Sequence, residues 1–235
     1  MRHPRAMSDH RSVGRIVDLL DVVARADVPP TVSDLARRLD VPRSSVHDLV
    51  SGLEQRGWLL RAGRGLRIGP APLVLELLAA RHVSWTSVDA DAYAERFDLA
   101  AAAAVLVGRH VVYTARSEKV VDERYAHVAD LHLPRDPLTT AAGRLLLSAA
   151  PAQVLASVLD ETRETDPGLV ADYEAQLPLI RRRRTAWSDG LSQDEVAAVA
   201  VFPHRDRPEA LVLFGRRVVD AARLTAAART LARAS

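Results

Sequence analysis

The densest group of metal-capable side chains in the sequence is formed by two histidines and an aspartate. His127 and His132 are separated by four residues, of which Asp130 is one. These residue types bind zinc when a further ligand comes from elsewhere in the chain, but a polar surface loop gives the same pattern. The sequence contains no cysteine and no nucleophile elbow, phosphate loop or metalloprotease helix motif. We therefore expect a protein without catalytic activity and without a metal or other cofactor, and a metal site remains the minor alternative.

A second set of polar and cationic residues lies between positions 31 and 67. Arginine can donate to guanine, and serine can bond to bases or phosphates, while arginines on a nearby element could contact the phosphates or the minor groove. This set therefore indicates a surface that contacts double-stranded DNA. Its candidate members are Thr31, Ser33, Arg43, Ser44, Ser45, His47, Ser51, Arg61, Arg64 and Arg67.

The spacing of apolar residues predicts three short helices that would position these side chains. Residues 12–26 carry apolar residues three and four positions apart, as an amphipathic helix does. Thr31 begins a second helix, since Asp34 three positions later completes a capping box. Pro42 suits the first position of a third helix, and Gly57 suits its C-terminal cap.

Two short strands, 58–61 and 66–68, follow around a glycine-rich turn and predict a β-hairpin. Helix, tight turn, helix and hairpin make a winged helix-turn-helix. The first 80 residues carry 12 arginines against 9 acidic residues, a net charge of +3, a modest excess of the charge that DNA attracts. A winged helix used for protein contacts, with a solvated polar face, is the minor alternative. Asp48 would repel phosphate, so we expect it to face a cytosine amine or to pair with an arginine.

The remaining chain is predicted to form an α+β domain, because strands and helices alternate along it. Within its second strand, Val111, Tyr113 and Ala115 are expected on one face. The arginine run Arg181–Arg184 lies in a predicted helix, where it is a solvated face, an ion-paired face or a second DNA contact. The predicted strands are 101–107, 110–115, 196–202 and 209–214, and the predicted helices are 89–98, 141–147, 153–159, 172–185 and 220–234.

A small anion could bind at the loop and helix start that span 136–141. Thr139, Thr140 and the free backbone N–H groups there could hold a carboxylate, because helix N-termini favour anions. Ordinary capping by Thr140 or Asp136 explains the same residues equally well. The candidate effector-binding residues in this segment are Asp136, Thr139, Thr140 and Ala141.

Several phrases, in the same order, resemble the IclR (isocitrate lyase regulator) family of transcriptional regulators. They are Thr31–Leu39, Pro42–Val46, Leu53–Leu59 and Leu66–Pro70, with a weaker continuation at Pro137–Leu147. The resemblance implies a homodimer or dimer of dimers that binds a pseudo-palindromic operator. It also implies a GAF- or PAS-like C-terminal domain that binds a small metabolite. A repressor is expected rather than an activator.

The sequence departs from that family in its final strand. Relatives that bind small carboxylic acids tend to carry serines there, whereas this chain has Val212 and Phe214, and the preceding strand lacks the common cysteine. Because a buried anion needs polar partners, an apolar or aromatic effector is expected, with Val212 and Phe214 among its contacts. The alternative is a C-terminal domain that only oligomerises.

Four segments are expected: a disordered arm over 1–10, the winged helix-turn-helix over 11–70, a linker helix over 71–88 and the effector-binding domain over 89–235. No apolar run approaches the roughly 20 residues that span a bilayer. The start of the chain also lacks the apolar core of a signal peptide. We therefore expect a cytoplasmic protein without membrane contact.

Overall fold

The computed structural model describes residues 6–79, 88–118, 133–192, 194–204 and 208–234. The chain divides into two compact units, residues 1–84 and 85–235. Among the described residues, no helix is long and apolar enough to cross a membrane. The histidine and aspartate group at 127–132 lies outside the described residues.

The N-terminal unit has the predicted order of three helices, a hairpin and a further helix. Helix α1 begins at Ala6, so the expectation of a disordered arm over 1–10 is wrong for residues 6–10, and residues 1–5 are not described. The elements are α1 (Ala6–Ala24), α2 (Val32–Leu39), α3 (Arg43–Gln55), β1 (Leu59–Ala62), β2 (Gly65–Ile68) and α4 (Ala71–Ala79).

Local backbone preferences set the ends of α2 and α3. Asp40 takes the left-handed conformation with φ 49° and ends α2, as short polar side chains tolerate. Pro42 caps α3 instead of occupying its first turn, a shift of one residue from the prediction. At the other end, Gly57 has φ +73°, and the Trp58 N–H donates to the Leu53 carbonyl at 2.9 Å. This is the Schellman arrangement, in which glycine is favoured.

One apolar cluster holds this unit together and fixes the orientation of α3. Val46 and Val50 of α3 are fully buried against Leu35 of α2 and Leu59 and Leu66 of the hairpin. Because these positions recur on one side of α3, its opposite side is left in solvent.

The C-terminal unit is an α+β domain around one antiparallel sheet, which confirms the predicted fold class. The strand order in the sheet is β4-β3-β7-β6-β5. The elements are α5 (Ala90–Phe97), β3 (Ala100–Val107), β4 (His110–Arg116), α6 (Ala141–Ser148), α7 (Ala152–Thr165), α8 (Pro167–Arg183), β5 (Thr185–Asp189), β6 (Val196–Val201), β7 (Glu209–Arg216) and α9 (Ala221–Ala234).

Alternate residues of the central strands supply two separate cores. Val212 and Phe214 of β7 belong to the cluster that α6, α7 and α8 cover. Leu211 and Leu213 belong to the cluster on the other face, with α5 and α9. The sheet is therefore buried on both faces, and the small alanines of β3 and β6 let the helices approach closely.

Two predictions for this unit are wrong. The helix predicted over 172–185 spans Pro167–Arg183, and it is followed by strand β5, which the sequence reasoning missed. The pairing of β3 and β4 shifts register between Ala103 and Ala104, so that Tyr113 and Ala115 have consecutive partners. This bulge reverses the alternation: Val111 and Tyr113 lie on the α6 face, and Ala115 packs on the opposite face.

Candidate DNA-binding surface and effector region

The outer side of α3 presents the polar residues that were predicted to contact DNA. Arg43, Ser44 and His47 are exposed, while Ser45 and Ser51 are half-buried at the margin of the apolar face. The helix N-terminus has no side-chain cap, so its first N–H groups point into solvent. A convex helix of this kind, with short side chains near its N-terminus, can enter the major groove.

Asp48 is 86% exposed on the same side of α3. The Nδ1 atom of His47 lies 3.8 Å from one of the Asp48 carboxylate oxygens. Among the described residues, no arginine lies within ion-pair distance of Asp48, so of the two expected roles only the contact with a base remains open.

The start of α2 is closed by the capping box that the sequence predicted. The Asp34 N–H donates to the Thr31 hydroxyl at 3.2 Å, and the Thr31 N–H and hydroxyl donate to an Asp34 oxygen at 3.1 and 2.7 Å. These bonds from Thr31, followed by the Arg37 guanidinium, hold the pKa of Asp34 below its ordinary value. The Thr31 hydroxyl is thus engaged within the protein, whereas Ser33 is exposed.

The three arginines of the hairpin do not form one surface. Arg61 pairs with Glu54 of α3 at 2.6 Å, which fixes the hairpin against the helix. Arg64 lies in the turn between Ala62 and Gly65, and Arg67 is opposite Leu60 in the register. Because side chains alternate along a strand, Arg67 lies on the face of the hairpin opposite to Arg61. Arg64 and Arg67 are exposed and stay available to a partner.

The predicted effector segment of the C-terminal unit is folded around its own polar groups. Asp136 accepts from the Leu138 N–H at 2.7 Å and from the Thr139 N–H at 3.3 Å. Thr140 is the N-cap of α6, and its hydroxyl accepts from the Gly143 N–H at 3.1 Å. Ala141, the first residue of α6, is buried. These are the bonds of an ordinary helix cap, the simpler of the two interpretations.

Two further residues hold this segment in place, and the sequence reasoning missed both of them. Ser188 of β5 donates to the Thr139 carbonyl at 2.8 Å. Arg144, with 1% exposure, pairs with Asp172 of α8 at 2.7 Å and donates to the Leu138 carbonyl at 3.4 Å. One indication of this role for Arg144 is visible in the sequence: it is the single charged residue among six apolar ones in α6, and a charged residue buried in this way needs a partner.

The two strand residues predicted to contact an effector lie on the α6 face of the sheet. Val212 is fully buried and Phe214 is 7% exposed. The Phe214 ring lies 5.9 Å from the Tyr113 ring, at an interplanar angle of 48°. The fold therefore brings Val212, Phe214 and the start of α6 to the same side of the sheet, in contact with one apolar core.

A cleft of about 380 Å³ borders Asp136 on its outer side. Arg109, His110 and Glu161 line it, and Arg109 forms an ion pair with Glu161. Arg135 and Asp136 add two further charged groups to the lining, so the cleft is more polar than the apolar site that the sequence led us to expect.

The comparisons with known proteins agree with the helix-turn-helix and with the fold. The model of the IclR helix-turn-helix domain matches residues 12–63. An ICLR transcriptional regulator from Silicibacter has 21% identity and a TM-score of 0.72, covering 94% of this chain and 95% of its own. An IclR regulator from Alicyclobacillus acidocaldarius has 20% identity and a TM-score of 0.68, covering 94% and 96%. No curated protein matches the chain in sequence.

A third structure is an IclR homolog from Microbacterium hydrocarbonoxydans, which is complexed with 4-hydroxybenzoate. It has 22% identity and a TM-score of 0.60, and the match covers 95% of this chain and 99% of that one. Likeness at this level of identity establishes the fold, while the domain model identifies the DNA-binding element. Residues 12–63 thus carry the helix-turn-helix domain of the IclR family, and the chain has the fold of the IclR-family transcriptional regulators.

Proposed function

We propose that this protein represses transcription by binding a pseudo-palindromic operator as a homodimer, under the control of a small-molecule effector. The observation that carries the proposal is the exposed polar side of α3, with Arg43, Ser44 and His47, supported from behind by a fully apolar core. In this arrangement α3 reads the major groove, while Arg64 and Arg67 contact phosphates or the minor groove.

Selection of binding sites from random duplex DNA tests whether the protein recognises a specific DNA sequence. The full chain is expected to enrich two inverted half-sites, since a symmetric dimer presents its two recognition helices in opposite directions. Transcription from a promoter that overlaps the enriched site should fall when the protein is added. Enrichment of a single half-site would contradict the dimer, and increased transcription would contradict repression.

Two apolar surfaces of the N-terminal unit support the homodimer. Leu73 and Leu77 of α4 are 57% and 60% exposed and lie one turn apart on the same side of the helix, and Val13 and Val17 of α1 are exposed four positions apart. Contiguous apolar surface of this kind marks an interaction site. We expect the mass of a dimer or a dimer of dimers in solution, and Leu77→Glu should shift the mass toward the monomer. The exposed-site control Val28→Glu, in the loop after α1, should leave the mass unchanged.

The effector-binding part of the proposal assigns Asp136, Thr139, Thr140, Ala141, Val212 and Phe214 to the ligand site. The relative complexed with 4-hydroxybenzoate supports an aromatic effector, as do the apolar side chains of β7. Thermal unfolding of the full chain with 4-hydroxybenzoate and a panel of apolar acids tests it, because a ligand of the native state raises the unfolding temperature. Phe214→Ala should alter the response, whereas Phe97→Ala on α5 should not.

A C-terminal unit that only oligomerises is the second candidate. It is favoured by the packing of Val212 and Phe214, both of which are buried in an apolar core, and by the engagement of Thr140 in capping α6. Under this alternative no compound of the panel shifts the unfolding temperature, and deletion of the C-terminal unit lowers the number of copies in the oligomer. DNA recognition by α3 is the same under both candidates.

A further inference from the structure

A groove of about 650 Å³ lies beside strand β5, away from the predicted effector segment. It is lined by Thr185, Ala186 and Trp187 of β5, by the C-terminal half of α8 and by α9. Helix α8 covers one face of the sheet and α9 covers the other, and β5 is the last strand. A groove lined by both helices and by the last strand therefore runs along the edge of the sheet.

The backbone of β5 is available for pairing in this groove. The Gly190 N–H donates to the Val196 carbonyl at 3.0 Å, which makes Gly190 and Val196 a hydrogen-bonded pair. Such pairs alternate along an antiparallel ladder, so Ala186 and Ser188 also bond toward β6. The N–H and C=O groups of Thr185 and Trp187 consequently point to the open edge. Within the described part of the chain, no strand pairs with β5 on that side.

The groove is cationic as well as open. Arg182 and Arg183 line it from α8, and Arg229 lines it from α9. Other arginines of this unit are neutralised by carboxylates, for example Arg163 by Asp160 and Glu174. Among the described residues, the guanidinium groups of these three arginines form no hydrogen bond or ion pair, and none of the residues lining the groove is acidic. Trp187, with 36% exposure, adds an apolar surface.

We propose that this groove binds an extended, acidic segment of a partner protein, which pairs with β5 as an additional strand. Main-chain bonds to the open edge would supply affinity, and alternate side chains would reach the two walls, as in other cases of strand addition. Acidic side chains meet Arg182 and Arg183 on one wall and Arg229 on the other, with charge-assisted bonds. Pairing of β5 with a second copy is disfavoured, because it would bring two arginine clusters together.

A labelled acidic peptide tests this proposal with the full chain. The probe is a capped octapeptide of alternating glutamate and valine, and its binding is followed by fluorescence anisotropy. We expect saturable binding and slower hydrogen exchange at the amides of Thr185 and Trp187. The triple variant Arg182→Gln, Arg183→Gln, Arg229→Gln should weaken binding at least about tenfold, equivalent to about 1.4 kcal/mol. The control Arg96→Gln, on α5, should bind like the parent protein.

A second control distinguishes peptide binding in the groove from peptide binding to the candidate DNA-contacting surface. The variant Arg43→Ala, Arg64→Gln, Arg67→Gln should keep the peptide affinity, so the outcome does not depend on the function proposed for α3. The proposal is overturned by unchanged affinity in the groove variant, provided that its unfolding temperature equals that of the parent. Equal binding of an N-methylated peptide, which lacks the main-chain donors, would also overturn it. The same holds if succinate displaces the peptide at the concentration at which the peptide itself binds, or if binding does not saturate up to about 1 mM.

Discussion

Gly57 and Gly65 lie on either side of strand β1, and each position favours glycine for a different physical reason. Gly57 takes φ +73° at the end of α3, a local requirement that the sequence makes visible. Gly65 has no such requirement, but a Cβ at this position would lie 2.2 Å from the Pro29 carbonyl oxygen. The adjacent Leu66 N–H donates to the Pro30 carbonyl at 2.9 Å. The glycine-rich turn was predictable, while the close approach to a segment distant in sequence was not.

Gly65→Ala should therefore destabilise the N-terminal unit. The atom contacted is backbone, so β2 or the loop before α2 must move, and overpacking of this kind costs about 1–3 kcal/mol. The free energy of unfolding in urea measures the effect. Gly14→Ala is the matched control: it lies within α1 with open space around it, and it should stabilise the protein by roughly 0.5–1 kcal/mol. Equal effects of the two substitutions would contradict the steric argument.

Arg43→Ala should weaken operator binding by roughly 1–3 kcal/mol if Arg43 reads a base. Its side chain is exposed in the first turn of α3, where a guanidinium can donate two bonds to guanine. Affinity for the operator and for a duplex changed at one base should be measured together. Loss of affinity for both by the same factor would assign Arg43 to the phosphates. Arg96→Ala removes the same charge from the C-terminal unit and should change neither affinity.

At the scale of elements, the capping box makes α2 sensitive to acid. The pKa of Asp34 is lowered in the folded protein, so its stabilising effect is complete above its unfolded pKa and is lost as pH falls through the folded pKa. Asp34→Ala should accordingly lower the unfolding temperature at pH 6, and the difference from the parent should shrink as the pH falls through the folded pKa of Asp34. Asp48→Ala removes an exposed carboxylate that caps nothing, and at pH 6 it should lower the unfolding temperature less than Asp34→Ala does.

The contact of α6 with α8 depends on a buried cation. Arg144 is 1% exposed, whereas the side chain of its partner Asp172 is 50% exposed. Asp172→Ala leaves the guanidinium buried without its counterion, so it should cost up to about 3 kcal/mol of unfolding free energy. Arg144→Met leaves a carboxylate that water can reach, and its cost should be smaller. Urea unfolding of both variants measures the order, and the reverse order would contradict this reasoning.

Elements with a clear apolar period were predictable from the sequence, and β5 was not. Strands β6 and β7 consist almost entirely of apolar residues, because both their faces are covered. In β5 only Ala186 and Ser188 point into the core, so its sequence lacks an apolar alternation. Its existence depends on pairing with β6, and the bulge beside Thr114 depends on pairing with β3. Such features arise from contacts between distant segments and leave little local signal.

For the whole molecule, the N-terminal unit could be predicted from the sequence in more detail than the C-terminal unit. The N-terminal residues follow local rules of capping and turn formation, so the helices and the hairpin that carry the candidate DNA-contacting side chains could be predicted to within a few residues. In the C-terminal unit, the predicted effector residues Thr140, Val212 and Phe214 do lie on one face of the sheet. The residues that hold the start of α6 in place, Arg144 and Ser188, could not be predicted, because their partners Asp172 and Thr139 lie on other elements.

Salt dependence links the charge distribution to the proposed dimer. If Arg43 reads a base while Arg64, Arg67 and one helix N-terminus of each protomer contact phosphates, a dimer makes about six phosphate contacts. The logarithm of the binding constant should then fall with the logarithm of the salt concentration, with a slope of about −5. Arg64→Gln removes one contact from each protomer and should reduce the slope by about 2. Titration of the operator between low and moderate salt gives both values. Arg61→Gln is the comparison variant. Because Arg61 is paired with Glu54, this substitution should lower the free energy of unfolding and leave the salt slope nearly unchanged. A slope that Arg64→Gln leaves unaltered would place the tip of the hairpin away from DNA.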